Sequence, residues 1–493
     1  MNITSETLIW LSLLVPSVGA ILIWLTSKND NLRETMTFAT ALSLFVIVAT
    51  LLVRVICGER PEFTLLEMLP GLSIKFTIEP LGMLFATIAA ILWPINSLYS
   101  IGYMRGNKEK HQTRFYLFFA IAISATMGIA FAGNLITLFV FYEVLTLSTY
   151  PLVTHKGDAN AKRGGRIYLG ILIATSIGLL LPAIIWTTVV TGTNEFAAGG
   201  IIGDKLQGAM LGLLLFLYMY GIGKAALMPI HKWLPSAMVA PTPVSALLHA
   251  VAVVKAGVFS VLKVIVYVFG IDTLSGSGVT DWLLYIAGFT IIVASIIALQ
   301  QDNLKKRLAY STISQLSYVI LGAAILAPIS AVGASLHIAA HAFGKVTLFF
   351  AAGSIYTAAH KTEISQLDGI GRRMPWTMGA FTIGALSMIG IPPAAGFLSK
   401  WYMLMGAFST EQYIAVGVII ISTLLNTAYF VPIIYRAFFK KEKEPQDGHA
   451  SEAQHGEAPW PIVVALTITA SLTILLFFFH QIPLDLANQM VGR

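Results

Sequence analysis

The sequence predicts an all-α polytopic membrane protein of about fourteen transmembrane helices, with two inverted five-helix repeats that each contain a broken helix. Three observations predict it: a shortage of charge, fourteen apolar runs of spanning length, and basic residues that collect in alternate loops. Of 493 residues, 56% are hydrophobic and 11% charged, and the mean hydropathy is +0.78. A soluble domain carries roughly 25% charged residues. The balance excludes a disordered chain, a nucleic-acid-wrapping protein and an ordinary cytosolic enzyme. Fourteen spans of ~20 residues take up about 280 residues, close to the apolar share.

The runs cover residues 7–27, 36–56, 80–101, 115–132, 134–153, 166–191, 207–229, 242–266, 281–300, 307–327, 331–358, 375–408, 412–438 and 459–480. The first is preceded by Glu6, with no base before it and no cleavage site after it, so it reads as a span and not as a signal peptide. No Gly/Ser- or Pro-rich linker divides the chain, which reads as one membrane domain over 1–493. The polar stretch KKEKEPQDGHASEAQHGEAP, 440–459, reads as a cytoplasmic loop before the last span, with His449 and His455 solvated in it. No strands are expected. The single cysteine, Cys57, rules out an intrachain disulfide and a thiolate metal cluster and reads as a small core residue near a span end.

Basic residues fix the expected orientation. Of 31 Lys and Arg, 21 fall in loops after odd-numbered spans, and five (Arg54, Arg60, Lys75, Lys205, Lys263) fall at loops or span ends after even-numbered spans. Positive charge marks the cytoplasmic side, so both termini are expected outside the cytoplasm of a bacterial-type inner membrane. The net charge of +7 thus signals topology, and no nucleic-acid partner is expected.

Arg493 is terminal, and four lysines remain inside apolar runs: Lys224, Lys255, Lys345 and Lys400. Among acids only Glu143 lies deep in a run (LITLFVFYEVLTLSTYPL), with Glu79 and Asp281 at span edges. An ionisable group at the bilayer centre costs at least ~2.5–3.5 kcal/mol, so these groups must pair, face a hydrated interior or give up charge. Burial disfavours the charged form of such a group, which suits a lysine to proton exchange near neutral pH. Lys263, close to a span end, is expected to snorkel.

Two runs carry helix breakers beside these lysines. YMYGIGKAALMPIHKWLP has Gly221, Gly223 and Pro229 around Lys224, and SMIGIPPAAGFLSKWYML has Gly390, Pro392, Pro393 and Gly396 before Lys400. Interrupted helices at membrane depth are tolerated only within protein or beside water, and paired interruptions in two halves point to inverted repeats with ion sites. The offset between Lys224 and Lys400 is five spans, and a repeat offset by an odd number of spans inverts topology. In the eleventh run, His337, His341 and Lys345 recur every four residues and share a helix face about 6 Å apart. Histidine titrates near neutrality and can relay protons. His249 and His231 are secondary relay candidates. HExxH, GxSxG and Walker A patterns are all missing, so no catalytic residue, metal or cofactor is expected, although His337 and His341 could in principle hold haem or copper were Lys345 not beside them.

With those residues in hand, the chain resembles the antiporter-like subunits shared by Mrp-type multisubunit cation/proton antiporters, respiratory complex I and membrane-bound hydrogenases. The matching segments are FYEVLTLSTYPLV, MPIHKWLPSAMVAPTPVSALLHAVAVVKAG, DNLKKRLAYSTISQLSYVILG, HIAAHAFGKVTLFFAAGSI and GIPPAAGFLSKW. The resemblance implies inverted repeats over 115–266 and 281–438, a fifth-span and seventh-span pair of Glu143 and Lys224, and a link between two half-channels at Lys255. It makes His337, His341 and Lys345 an eleventh-span relay and Lys400 its twelfth-span terminus. Gly344 stands where the family often has phenylalanine and is expected to loosen its helix, and Met238 stands where a second histidine is common. The length, the end after the fourteenth span and Lys400 point to the Mrp D type. The implied function is proton translocation within a multisubunit Na⁺(K⁺)/H⁺ antiporter. A pump module of complex I or a hydrogenase is the alternative, which leaves open whether the chain is part of an enzyme. Expected partners are other membrane subunits of the same complex, protons, monovalent cations and the lipid bilayer.

Overall fold

The computed structural model describes residues 3–69, 71–247, 251–442 and 456–492. His249, His449 and His455 lie outside them. Among the described residues sixteen helices of ten residues or more follow in order. They are α1 (Ser5–Leu25), α2 (Asp30–Ile56), α3 (Pro80–Gly106), α4 (Gln112–Ala130), α5 (Leu135–Val153), α6 (Ala159–Thr191), α7 (Gly208–Gly221) and α8 (Val253–Val264). The chain continues with α9 (Asp281–Gln300), α10 (Leu304–Ala324), α11 (Pro328–Ala359), α12 (Pro375–Ile389), α13 (Gly396–Ser409), α14 (Tyr413–Phe439), α15 (Trp460–Phe478) and α16 (Gln481–Met490).

Helix starts follow from local chemistry. Asn29, Asn134, Asp158 and Asn303 each accept a backbone N–H of the first turn, capping α2, α5, α6 and α10. Proline opens α3, α11 and α12, where its missing N–H has no partner to lose. Ten helices are long and apolar enough to cross a membrane: α1–α6, α9, α11, α14 and α15. The other four expected spans are less regular. α10 is polar but buried, and three are interrupted: α7 with the turns after it, the segment that ends in α8, and the α12–α13 pair. The expectation of about fourteen helices with broken members matches this arrangement.

Burial sorts the helices. α11 runs 32 residues, ~48 Å, and its apolar window is wholly buried, whereas about a third of the window is buried in α1, α2, α6, α14 and α15. α11 is therefore the central rod, and the outer helices turn apolar faces such as Trp24, Val189 and Leu424 outward, as lipid contact requires. Gly344 does not loosen α11, which passes through it unbroken. A Cβ there would press on Met388 and Ser387 of the α12 end, so glycine permits close helix approach.

Two cavities mark the ends of the bundle. One is lined by Lys156, Met238, Asn303, Lys305 and Lys361, from loops after odd-numbered spans. The other is lined by Arg60, Glu79, Gly133, Glu195 and Asp272, from loops after even-numbered spans. The alternation read from the basic residues thus separates the loops onto two ends, a lysine-rich end and an opposite one.

Three expectations are corrected. A β-hairpin, β1 (Glu62–Leu69) with β2 (Leu72–Thr77), pairs antiparallel after α2, where no strand was expected. Cys57 caps the C-terminus of α2 and is exposed, since the chain turns out of the bundle there. Lys263 does not snorkel. It is fully buried and its Nζ lies 2.9 Å from Glu79 Oε1.

Candidate functional site: a buried row of lysines and histidines

The first break is built where α7 stops at Gly221. Residues 223–225 form a single 3-10 turn that carries Lys224, and the backbone reverses at Ala226 with φ +55°. Trp233 Nε1 donates to the carbonyl of Gly223 at 3.0 Å, satisfying one group the interruption leaves open. Lys224 is fully buried. Its backbone N–H donates to Tyr142 Oη at 3.0 Å, and its Nζ donates to the Tyr142 carbonyl at 2.8 Å and Thr146 Oγ1 at 2.6 Å. The ammonium also lies 3.1 Å from the centroid of the Tyr142 ring, a cation–π arrangement.

Every one of those partners is on α5, which also carries Glu143. Both Glu143 oxygens are buried without a hydrogen-bond partner among the described residues. No ion pair closes between Glu143 and Lys224, yet the carboxylate acts on the ammonium electrostatically. A buried acid without a partner beside an ammonium held by neutral oxygens is an arrangement with a second state available to it: the ammonium can exchange a carbonyl for the carboxylate.

α8 packs directly on this break. A Cβ at Gly257 would collide with the Lys224 carbonyl and the Ala225 nitrogen, so the approach requires glycine. Two residues earlier, Lys255 Nζ lies 2.7 Å from His341 Nδ1 on α11. Such a contact forms either as ammonium to neutral imidazole or as amine accepting from N–H, so one proton is shared in both arrangements. His337, one turn away, has its ring 6.0 Å from that of His341 and stacks at 5.5 Å on Tyr318. Its Nδ1 lies 2.8 Å from Ser399 Oγ on α13.

The second break lies between α12 and α13. α12 ends at Gly390, φ +92°, and Pro392 and Pro393 fill the gap before Gly396. Lys400, in the first turns of α13, sends its Nζ back to the carbonyls of Met388 and Ile389, 2.9 Å each, and lies 4.9 Å from the Tyr318 ring centroid. Lys345 donates to the Leu308 carbonyl at 3.2 Å and to Ser311 Oγ, both on α10.

The structure therefore joins Lys255, His341, His337, Ser399 and Lys400 in one buried row and sets Lys224 behind α8 at its near end. Lys345 continues the α11 face but is tied to α10. His231 sits apart from the row, in the turns beyond the first break, with its ring 6.4 Å from that of Tyr310. Gly223, Pro229, Pro392 and Pro393 all lie within the two interruptions. Sequence reasoning missed the hydroxyl partners Tyr142, Thr146, Ser311 and Ser399 and the Tyr318 ring. Thr146 follows Glu143 by three residues and Ser399 adjoins Lys400, which was the available signal. It also missed the Glu79–Lys263 pair.

A bundle with two broken helices, each delivering a buried lysine toward a central row, defines an ion-translocating multi-pass membrane protein of the antiporter type. Comparison with known proteins makes the class specific. Residues 132–426 match the NADH:quinone oxidoreductase/Mrp antiporter transmembrane family, and the chain belongs to that family. It is 30% identical over 455 residues to the N subunit of the NADH-quinone oxidoreductase of Desulforudis audaxviator, covering 90% of this chain and 88% of that one. It is 28% identical over 495 residues to the D subunit of the Na⁺/H⁺ antiporter of Alkalihalophilus pseudofirmus, covering 99% and 97%. Hydrogenase-4 component B of Escherichia coli is 28% identical over 82% of the chain. The fold matches a chain of the Mrp complex from Dietzia sp. DQ12-45-1b with TM-score 0.88 at 20% identity, covering 99% and 97%. It matches a chain of the membrane-bound sulfane sulfur reductase, an archaeal respiratory membrane complex, with TM-score 0.84 at 22% identity, covering 98% and 97%.

Proposed function

We propose that this chain is the proton-translocating, D-like component of a multisubunit Na⁺ or K⁺/H⁺ antiporter, working with other membrane subunits. Residues 115–266 and 281–438 act as its two inverted repeats. The observation that carries the reading is the Lys255–His341 contact, because it bridges the half that holds Lys224 to the half that holds Lys400. Near-complete coverage of the Alkalihalophilus antiporter relative supports the D type.

In this mechanism Lys224 alternates between the α5 oxygens that hold it and the Glu143 carboxylate. When a proton or cation arriving from the lysine-rich side separates it from Glu143, desolvation disfavours its charge and it releases a proton. The proton passes to Lys255 and His341, then by His337 and Ser399 to Lys400, with Lys345 setting the field along α11. One charge crossing the membrane is worth ~2.3 kcal/mol per 100 mV, enough to drive exchange. By the positive-inside rule the lysine-rich end faces the cytoplasm of a bacterial-type inner membrane, and the termini lie outside.

In an antiport-deficient strain, Lys224→Ala is expected to abolish cation/proton exchange while the complex still assembles. Normal exchange would sink the assignment. The Desulforudis oxidoreductase relative favours a second reading, a pump module of a redox complex. Purification in mild detergent separates the two, because hydrophilic iron–sulfur partners mean redox drive and membrane subunits alone mean antiport.

A further inference from the structure

The row from Lys255 to Lys400 lies inside the bundle, and the transport reading requires an opening to each side. At the end opposite the lysine-rich one, a cavity of about 480 Å³ is lined among others by Arg60, Glu62, Lys75, Glu79, Tyr267 and Asp272. Glu79, the residue before α3, is 9% exposed and lies on the wall of that cavity. Its Oε1 is 2.9 Å from Lys263 Nζ, its Oε2 is buried, and the Tyr267 hydroxyl lies beside the carboxylate. Behind it Lys263 is fully buried, donates to the Ala132 carbonyl at 2.6 Å and lies 4.3 Å from the Phe196 ring centroid.

Lys263 and Lys255 are on the same helix. They are eight residues apart, ~12 Å along the α8 axis. α8 thus carries one lysine in the central row and one behind the cavity wall, paired with Glu79. A bundle held together only by packing has no need of a buried pair here, since well-packed apolar residues stabilise as well as or better than a buried ion pair. The rim is also organised by charge: Lys75 of the hairpin bridges Glu62 at 3.1 Å and Glu195 at 3.3 Å.

We propose that Glu79 and Lys263 form the outer port of the proton route, with Glu79 passing protons between the cavity and Lys263. In the outward step the Lys263 ammonium gives a proton to Glu79 Oε1, leaving amine and carboxylic acid. Glu79 then gives a proton to water in the cavity and regains its charge. Transfer between Lys255 and Lys263 is too long to be direct and runs through water along α8. The inference rests on the proton-translocation reading and on the hairpin end facing outward.

The test uses the whole complex in proteoliposomes, with cation-driven proton flux read by a pH dye. Glu79→Gln is expected to lower flux at least 10-fold, and the paired Glu79→Leu/Lys263→Met, which leaves no lone charge, to do the same in an assembled complex. Ala198→Cys on the cavity wall, in a Cys57→Ser background, is expected to lose flux when a membrane-impermeant cationic thiol reagent is added to the hairpin face and to keep it when the reagent is added to the other face. Wild-type flux in the assembled double variant, or in the fully labelled Ala198→Cys complex, overturns the port. Absence of flux in the unmodified complex overturns the translocation reading itself, so the two failures are distinguishable.

Discussion

At the first break Lys224 sits in the interruption itself and gives its ammonium to a different helix, α5. At the second, Lys400 sits in α13 and gives its ammonium back to the open carbonyls at the end of α12. The end of a helix carries a partial negative charge that favours a cation, so Lys400 is held by the backbone of its own interrupted span. Lys224 has no such support, and the carboxylate near it, Glu143, is not bonded to it. A lysine whose partners lie on a neighbouring helix responds to any shift of that helix and to a change in the nearby acid. A lysine tied to its own helix end does not. In the proposed mechanism this difference makes the first break the switch and the second the terminus.

The largest effect that can break this comparison is on transport. Lys224→Met should reduce flux at least 100-fold, because it removes the ammonium that the α5 oxygens hold. Lys400→Met should reduce it about 10-fold, since Asn426 still donates to the Met388 carbonyl at 3.2 Å and keeps the break partly satisfied. Equal losses, measured in the same proteoliposome assay, would mean that the two lysines do the same work.

Next is stability. Removing one partner of a buried pair costs ~3–5 kcal/mol, while replacing both with apolar groups is often neutral. Lys263→Met alone should therefore lower the detergent Tm markedly, and Glu79→Leu/Lys263→Met should restore most of it. Lys224→Met should cost less, because its partners are neutral oxygens that leave no bonded charge behind. If Lys224→Met destabilises as strongly as Lys263→Met, then Glu143 is bonded to Lys224 in the resting protein and the switch description fails.

A smaller effect tests how closely α8 and the first break must approach. Gly257→Ala places a methyl against the Lys224 carbonyl, and overpacking of this kind costs about 1–3 kcal/mol. It should also lower flux by pushing Lys224 off α5. Gly379, in α12 before the second break, has nothing near its missing Cβ, so Gly379→Ala should leave both thermal melting and flux unchanged.

These contrasts explain what was legible in the sequence. A lysine in an apolar run stands out because its insertion cost demands a reason, so all four central lysines and Glu143 could be named. The breaks were legible through glycine and proline. The hydroxyl partners were not, because Ser and Thr in buried helices routinely satisfy themselves on their own i−4 carbonyl, as Thr146 also does on Tyr142. The Glu79–Lys263 pair was hidden because both residues sit at span edges, far apart in the chain, where snorkelling is an adequate account of either alone. The hairpin signal, a Pro-Gly pair between two short runs in EFTLLEMLPGLSIKFT, is the usual one but adjoins a span.

The smallest expected effect concerns the end of α5, the helix on which the first break depends. His155 follows that helix, is 3% exposed, and its backbone carbonyl accepts from Arg114 at 2.7 Å. Burial first and the Arg114 guanidinium second push its pKa down from 6.5 to about 4. The folded protein therefore refuses a proton that the unfolded chain accepts between those values. Stability contributed by neutral His155 is complete above about pH 6.5 and is lost as pH falls toward 4, amounting to roughly 1 kcal/mol at pH 5.5. α12, before the second break, instead begins on Glu457, whose carboxylate accepts the N–H groups of Trp376 and Thr377. His155→Gln should flatten the fall in Tm between pH 6.5 and 5, and the flattening should be accompanied by less acid inhibition of flux. An unchanged Tm slope would mean that α5 is not held at this end by a neutral imidazole.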